Sequence, residues 1–211
     1  MTDVDYLKNP DEIYRASFAA IRDVVDLGDM PEPLQPLVIR LVHACGRPEI
    51  IKALRWSGDP LSAAHEVLKR GAPVLVDATM VAAGIMRAGL PMENEVICTI
   101  ADDRAYEGAK RLATTRSSAA VDLWLPSLAG AVIAIGNAPT ALYRLLELLE
   151  QPRTPRPAAI FAFPVGFIGA AESKQALIDA NMDVPYMTLS GRDGGSAFAA
   201  AAINAVTRGA G

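Results

Sequence analysis

The stretch GAVIAIGNAPTALYRLLELLEQ, residues 130 to 151, carries one complete strand-to-helix unit. Its opening seven residues are apolar without alternation, the pattern of a strand buried on both faces. Gly136 then permits a tight exit, Asn137 can cap a helix, and Pro139 fits a first helical turn. The helical stretch PTALYRLLELLEQ follows directly.

Working outward, the same kind of unit recurs. PVLVDA (73–78), EVICTI (95–100), AAIFAFPV (158–165) and VPYMTLS (184–190) are further short apolar runs. Between and after them lie the helical stretches MVAAGIMRAGL, DRAYEGAKRLATTRSSAAVDLWLPSLA, ESKQALIDANM and SAFAAAAINAV. Non-alternating strands separated by helices predict an α/β three-layer sandwich with a five-stranded parallel sheet, most economically in flavodoxin-like order. In such a sheet, ligands collect outside the carboxyl ends of the strands, near the point where strand order reverses. Residues 1 to 72 predict helices only: DEIYRASFAAIRDVV, PLQPLVIRLVHACG and SAAHEVLKRG. QPRTPRP (151–157) is a short proline-stiffened connection, and residues 1 to 211 are expected to form a single domain.

Composition removes several function classes. Twenty basic residues against 24 acidic give a net charge of −4, the wrong sign for a phosphate-backbone binder, and no Lys/Arg block occurs. Nucleic acid is not an expected partner. No run reaches the roughly 18 apolar residues that a membrane span needs, and the polar, acidic N-terminal stretch is unlike a signal sequence, so a cytoplasmic location is expected. Cys45 and Cys98 fit a reducing compartment better than a disulfide framework and read as small buried hydrophobes.

There are two histidines. His43 lies in RLVHACG, at the end of a helix whose apolar stripe is Leu34, Leu37, Val38, Leu41, Val42 and Cys45, with Gly46 as the C-terminal cap. At 100° per residue His43 points away from that stripe. In a last helical turn the dipole favours the protonated ring and would raise its pKa, which suits a proton donor. A surface histidine without a task has the same signature. His65, on a polar helix, carries no such signal. Metal binding is not expected: His43 and Cys45, two apart on a helix, do not face each other, and neither CxxC nor HxxxH is present. The same geometry excludes a cysteine–histidine nucleophilic pair.

The loops say more. GNAPTAL (136–142, with Thr140), PVGFIGAAESK (164–174) and SGRDGGS (190–196) are glycine-containing exits that run into helix N-termini. The amides of the first are expected to be free and to form an anion pocket. Gly166 and Gly169 lack the rest of GxGxxG, and GRDGGS lacks the lysine of a P-loop. Each turn alone reads equally as a generic strand exit. Together, with Arg116, Lys174 and Arg192 nearby, they point to a large anionic ligand.

The set RLVHACG, PVLVDATMV, NEVICTI, TTRSSAA, VIAIGNAPTAL, PVGFIGAAESK and SGRDGGSA resembles the precorrin-8X methylmutases, the precorrin isomerases of cobalamin biosynthesis, from about residue 6 to about residue 205. The resemblance implies a flavodoxin-like homodimer with sites at or near the interface, needing no cofactor, that moves a methyl group from C-11 to C-12 of a corrin-type tetrapyrrole to give hydrogenobyrinic acid. It places the family's catalytic histidine on His43, its active-site arginine on Arg116 and its N-terminal serine on Ser17.

The substrate's acetate and propionate groups must then be recognised locally, by helix N-termini and arginines, because the overall field has the wrong sign. His43 is expected as general acid toward a ring nitrogen, Arg116 as the grip on a carboxylate, and Ser17 as a support for the ring edge. Asn137, Thr140, Lys174 and Arg192 complete the expected contacts, and Gly136, Gly166, Gly194 and Gly195 would let backbone approach a flat ligand. Rival readings are a cobalt-precorrin-8 methylmutase, a non-catalytic corrinoid carrier and a flavin or nucleotide binder. The last lacks a Ser/Thr-rich phosphate loop after the first strand.

Overall fold

The structure is a computed structural model that describes residues 6 to 208. Its five expected strands are all present: β2 (Val74–Val76), β3 (Val96–Cys98), β4 (Val132–Ile135), β5 (Ala159–Ala162) and β6 (Tyr186–Leu189). They pair in parallel, in the order β6-β5-β4-β2-β3. Numbered among themselves, this is the 2-1-3-4-5 arrangement expected from the sequence.

Among the described residues the sheet nevertheless has six strands and is mixed, which corrects the expectation of a five-stranded parallel one. The sixth strand, β1 (Leu54–Ser57, LRWS), comes from the region expected to be helical and pairs antiparallel with β6, with Leu54 opposite Leu189. It escapes a sequence reading because it is short and is not an apolar run. As an edge strand it needs one buried side chain, Leu54, and its Arg55 bonds the Lys52 and Leu54 carbonyls at 2.9 and 2.7 Å.

Both faces of the parallel strands are covered because successive side chains point to opposite sides. Val74, Val76, Phe161 and Met187 face one core together with α2 (Gln35–Cys45), α3 (Pro60–Leu68), α4 (Thr79–Gly84) and α9 (Ser196–Arg208). Leu75, Ile133, Ile135 and Ile160 face the other with α6 (Arg116–Asp122), α7 (Pro139–Glu150) and α8 (Ala170–Asp179). The amphipathic α5 (Asp103–Leu112) packs outside α6, and α1 (Pro10–Val24), capped by Asn9, lies on α2.

The stripe on α2 is as expected: Leu34, Leu37, Val38, Leu41 and Val42 are buried, and Gly46 closes the helix at φ 66° with its N–H on the Val42 carbonyl at 2.8 Å. That stripe is covered within the chain, chiefly by the alanine-rich α9. On α1, by contrast, Ile13 and Val24 are exposed and only Phe18 is buried.

Candidate active site

Sheet order reverses between β2 and β4, so the crevice at their carboxyl ends is where the fold invites a ligand. Here the chain fills it itself. Asp77, one residue beyond β2, is buried, and its carboxylate accepts the Gly136 amide at 2.8 Å, the Asn137 amide at 2.9 Å and the Ala138 amide at 2.7 Å. The amides expected to be free for an anion are thus occupied by an internal one. Burial pushes the Asp77 carboxyl above the usual carboxylate range, against the pull of these three amides.

Gly136 also serves packing rather than ligand approach: a Cβ there would lie 2.8 Å from the Ser196 Cα and 2.9 Å from the Ala199 Cβ. Asn137, by contrast, is exposed.

The exits of β4, β5 and β6 are stitched into one rim. The Val165 amide bonds the Asn137 carbonyl at 3.4 Å, the Gly166 amide the Arg192 carbonyl at 3.3 Å, and the Gly195 amide the Phe163 carbonyl at 2.8 Å. Gly166 and Gly195, at φ 146° and 128°, face open space, so a Cβ there would meet no neighbour. Gly194 does not: a Cβ there would meet the Pro164 carbonyl oxygen at 2.7 Å. Between Gly166 and Gly169 the side chains of Phe167 and Ile168 stand 86% and 91% exposed, with the Arg192 guanidinium 5.1 Å from the Phe167 ring.

Lys174, expected on the ligand, is instead fully buried beneath the rim, where its ammonium donates to the Asp193 carbonyl. Burial pulls its pKa down to about 8 against the raising influence of Asp193. Asp193 is also tied to Arg47, just past α2, at 3.3 Å.

At one end of the rim is Arg116, the first residue of α6 and exposed. A cation in a first helical turn opposes the helix dipole, so its position is not explained by stability. Thr115 caps the helix by accepting the Ser118 amide at 3.1 Å, and its hydroxyl donates to Thr140 in the first turn of α7 at 2.7 Å. The guanidinium lies 4.7 Å from the Tyr106 ring and bonds its hydroxyl.

At the other end is His43. It is exposed on the face of α2 opposite the stripe, with Nδ1 3.0 Å from the Ser17 hydroxyl and its ring 5.1 Å from Phe18 and 6.2 Å from Tyr14. A shallow 250 Å³ pocket beside it is lined by Arg40, Gly84, Ala197 and Asn204 among others. The expected rise of its pKa by the helix dipole is overturned: partial burial, and then the nearby Arg40 cation, lower it below 6.5. Two rings and a guanidinium at close range act against the partial charge of the helix end.

His65 is half-buried with Nδ1 3.0 Å from the Val206 carbonyl and has a structural place. Both cysteines are unbridged and partly buried. Larger hollows, about 670 Å³ between α7 and α8 and 690 Å³ around residues 87 to 94, contain none of the expected site residues. Among the described residues no helix is long and apolar enough to cross a membrane, and no three His, Cys, Asp or Glu side chains are grouped to hold a metal.

Sequence reasoning missed Asp77, Arg40, Tyr106 and Thr115. Only Asp77 left a signal: a carboxylate ending the apolar run VLVD demands buried hydrogen-bond donors.

The family profile described as CbiC, precorrin-8X methylmutase, matches residues 12 to 208. A precorrin-8X methylmutase of Sinorhizobium sp is 50% identical over 208 residues, covering 99% of each chain. One from Pseudomonas aeruginosa is 46% identical over 203 residues, covering 96% of this chain and 97% of that one. A cobalt-precorrin-8 methylmutase of Priestia megaterium is 33% identical over 94% of this chain and 87% of its own length. The crystal structure of precorrin-8x methyl mutase from Thermus thermophilus superposes with a TM-score of 0.85 at 34% identity, covering 94% of this chain and 95% of that one.

Proposed function

The chain belongs to the precorrin-8X methylmutase family, and from that premise we propose how its residues share the work. The reaction is an isomerisation in cobalamin biosynthesis: a methyl group moves from C-11 to C-12 of precorrin-8X, giving hydrogenobyrinic acid. Relatives named for the cobalt-free substrate stand at 50% and 46% identity, against 33% for the cobalt-named one above, which favours the cobalt-free macrocycle.

A methyl shift between adjacent ring carbons needs no nucleophile and no net oxidation. It needs the conjugated system made more electron-poor during the shift, which a proton or hydrogen bond on a ring nitrogen supplies. His43 is that donor. Ser17 bonds Nδ1 and so fixes the ring's orientation, leaving Nε2 to face the macrocycle. Ser17 thus acts through His43 rather than on the ring edge. The lowered pKa makes the imidazolium a stronger acid than a free one, at the expense of its population at neutral pH.

Arg116 grips a peripheral carboxylate in two-pronged fashion, and the Gly166–Gly169 and Ser190–Ser196 loops lie under the macrocycle, with Arg192 for a second carboxylate. Because Asp77 closes the switch-point crevice, the macrocycle lies across the rim and not in the sheet cleft. The same closure disfavours a phosphate-anchored flavin or nucleotide.

The 250 Å³ pocket beside His43 is too small to enclose such a ligand, so we include in the reading a homodimer whose partner covers the open side, in the cytoplasm. The observation that carries the reading is His43, exposed on its helix yet oriented by Ser17 and beside the rim. Mixing the pure protein with precorrin-8X while recording visible absorption tests it: conversion to the hydrogenobyrinic acid spectrum is expected. Tight binding with no conversion would make the protein a carrier. Light scattering tests the dimer, and full activity as a monomer at assay concentration would remove it.

A further inference from the structure

We propose that Asp77 is a positioning residue of the site: an internal carboxylate that fixes the turn after β4 and, through Thr140 and Thr115, the helix that presents Arg116. It rests on the reading above that Arg116 grips a substrate carboxylate.

The chain of contacts is continuous. Three consecutive amides, from Gly136 to Ala138, converge on the two Asp77 oxygens at 2.7 to 2.9 Å. Three charge-assisted bonds on three successive residues leave that turn one conformation. Pro139 and Thr140 follow at once as the first two residues of α7. Thr140 receives the Thr115 hydroxyl at 2.7 Å, and Thr115 caps α6 through the Ser118 amide at 3.1 Å. Arg116 is the next residue along.

An isolated cap on a helix of seven residues frays easily. The buried carboxylate gives the cap a rigid anchor. An asparagine at position 77 cannot serve the same three donors, because one of its two polar atoms is itself a donor.

The test uses the whole enzyme and the product hydrogenobyrinic acid as the probe. Asp77→Asn and Thr140→Val are each combined with Arg116→Lys in double-mutant cycles on product affinity. Thr140→Val leaves the buried carboxylate intact and serves if Asp77→Asn fails to fold. Each single variant is expected to weaken binding, by roughly tenfold for Asp77→Asn and about threefold for Thr140→Val, the scale of one or two lost hydrogen bonds.

With lysine already at position 116 the same changes should weaken binding further by less than about twofold, since the fork they aim is gone. A general structural weakening would multiply with Arg116→Lys instead, and full multiplication overturns the proposal. Amide hydrogen exchange of residues 116 to 118 in the ligand-free enzyme gives a readout independent of substrate. Faster exchange there in both single variants supports the link. If Arg116→Lys alone leaves product binding unchanged, the grip assigned to Arg116 fails, and exchange then decides the positioning role by itself. Unchanged exchange overturns it.

Discussion

The two ends of the rim are built on opposite principles. His43 is backed by Phe18, Tyr14 and the buried Arg40, which desolvate its ring and set its acidity, and a single hydroxyl orients it. Arg116 stands exposed at a helix start, leaning on one tyrosine ring. A group that must change protonation needs neighbours that tune its charge. A group that only grips a carboxylate needs a planar fork held in place and access to the ligand. On the proposed division of roles, the His43 end should therefore speak in kcat and pH dependence, and the Arg116 end in KM.

The strongest test of that division is His43→Asn. Asparagine keeps a hydrogen bond but cannot transfer a proton at neutral pH, so kcat should fall by about 10²- to 10⁴-fold with little change in product affinity. Stability should change little, because the ring projects from the apolar stripe. A stopped-flow comparison with wild type checks this, and near-normal turnover would leave only hydrogen-bond polarisation at that end.

At the other end, Arg116→Lys should raise KM by roughly tenfold with kcat nearly intact, because an ammonium replaces the fork but keeps the charge. Steady-state kinetics separate the two parameters. A fall in kcat with constant KM would merge the two ends into one catalytic unit.

Ser17→Ala should be milder: a loss of about three- to tenfold in kcat, the cost of one orienting hydrogen bond, with unaltered product affinity. An effect confined to affinity would return Ser17 to the ring edge.

The smallest effect is in pH. Since burial and Arg40 lower the His43 pKa, kcat/KM in wild type should decline as pH rises through a midpoint below 6.5, and His43→Asn should remove that limb. The stability linkage has the opposite slope. The unfolded histidine binds its proton more readily, so the folded state gains as pH rises toward 6.5 and loses as pH falls below it. Thermal melts across this window, compared between wild type and His43→Asn, measure that difference. A midpoint above 6.5 would mean that the helix dipole prevails after all.

The sequence alone determined a good deal. Apolar runs without alternation specified β2 to β6 and their parallel pairing, because only helices on both faces make such strands comfortable. The stripe on α2 specified which way His43 looks, through the 100° step of the helix, and the quoted motifs pointed to the family. The tertiary structure decided the rest. Whether LRWS becomes a strand depends on the free edge of β6, which lies about 130 residues away in sequence. Whether the amides of GNAPTAL bind a ligand depends on Asp77, some 60 residues upstream. The sign of the His43 pKa shift depends on rings from α1 and a cation one turn back, where the local helix dipole argued the other way. Periodicity is a local property that short-range sterics impose on the chain, so it is written along the sequence. Occupancy of a hydrogen-bonding group and the solvation of a charge are set by what folding brings beside them, and these are known only when the chain has closed on itself.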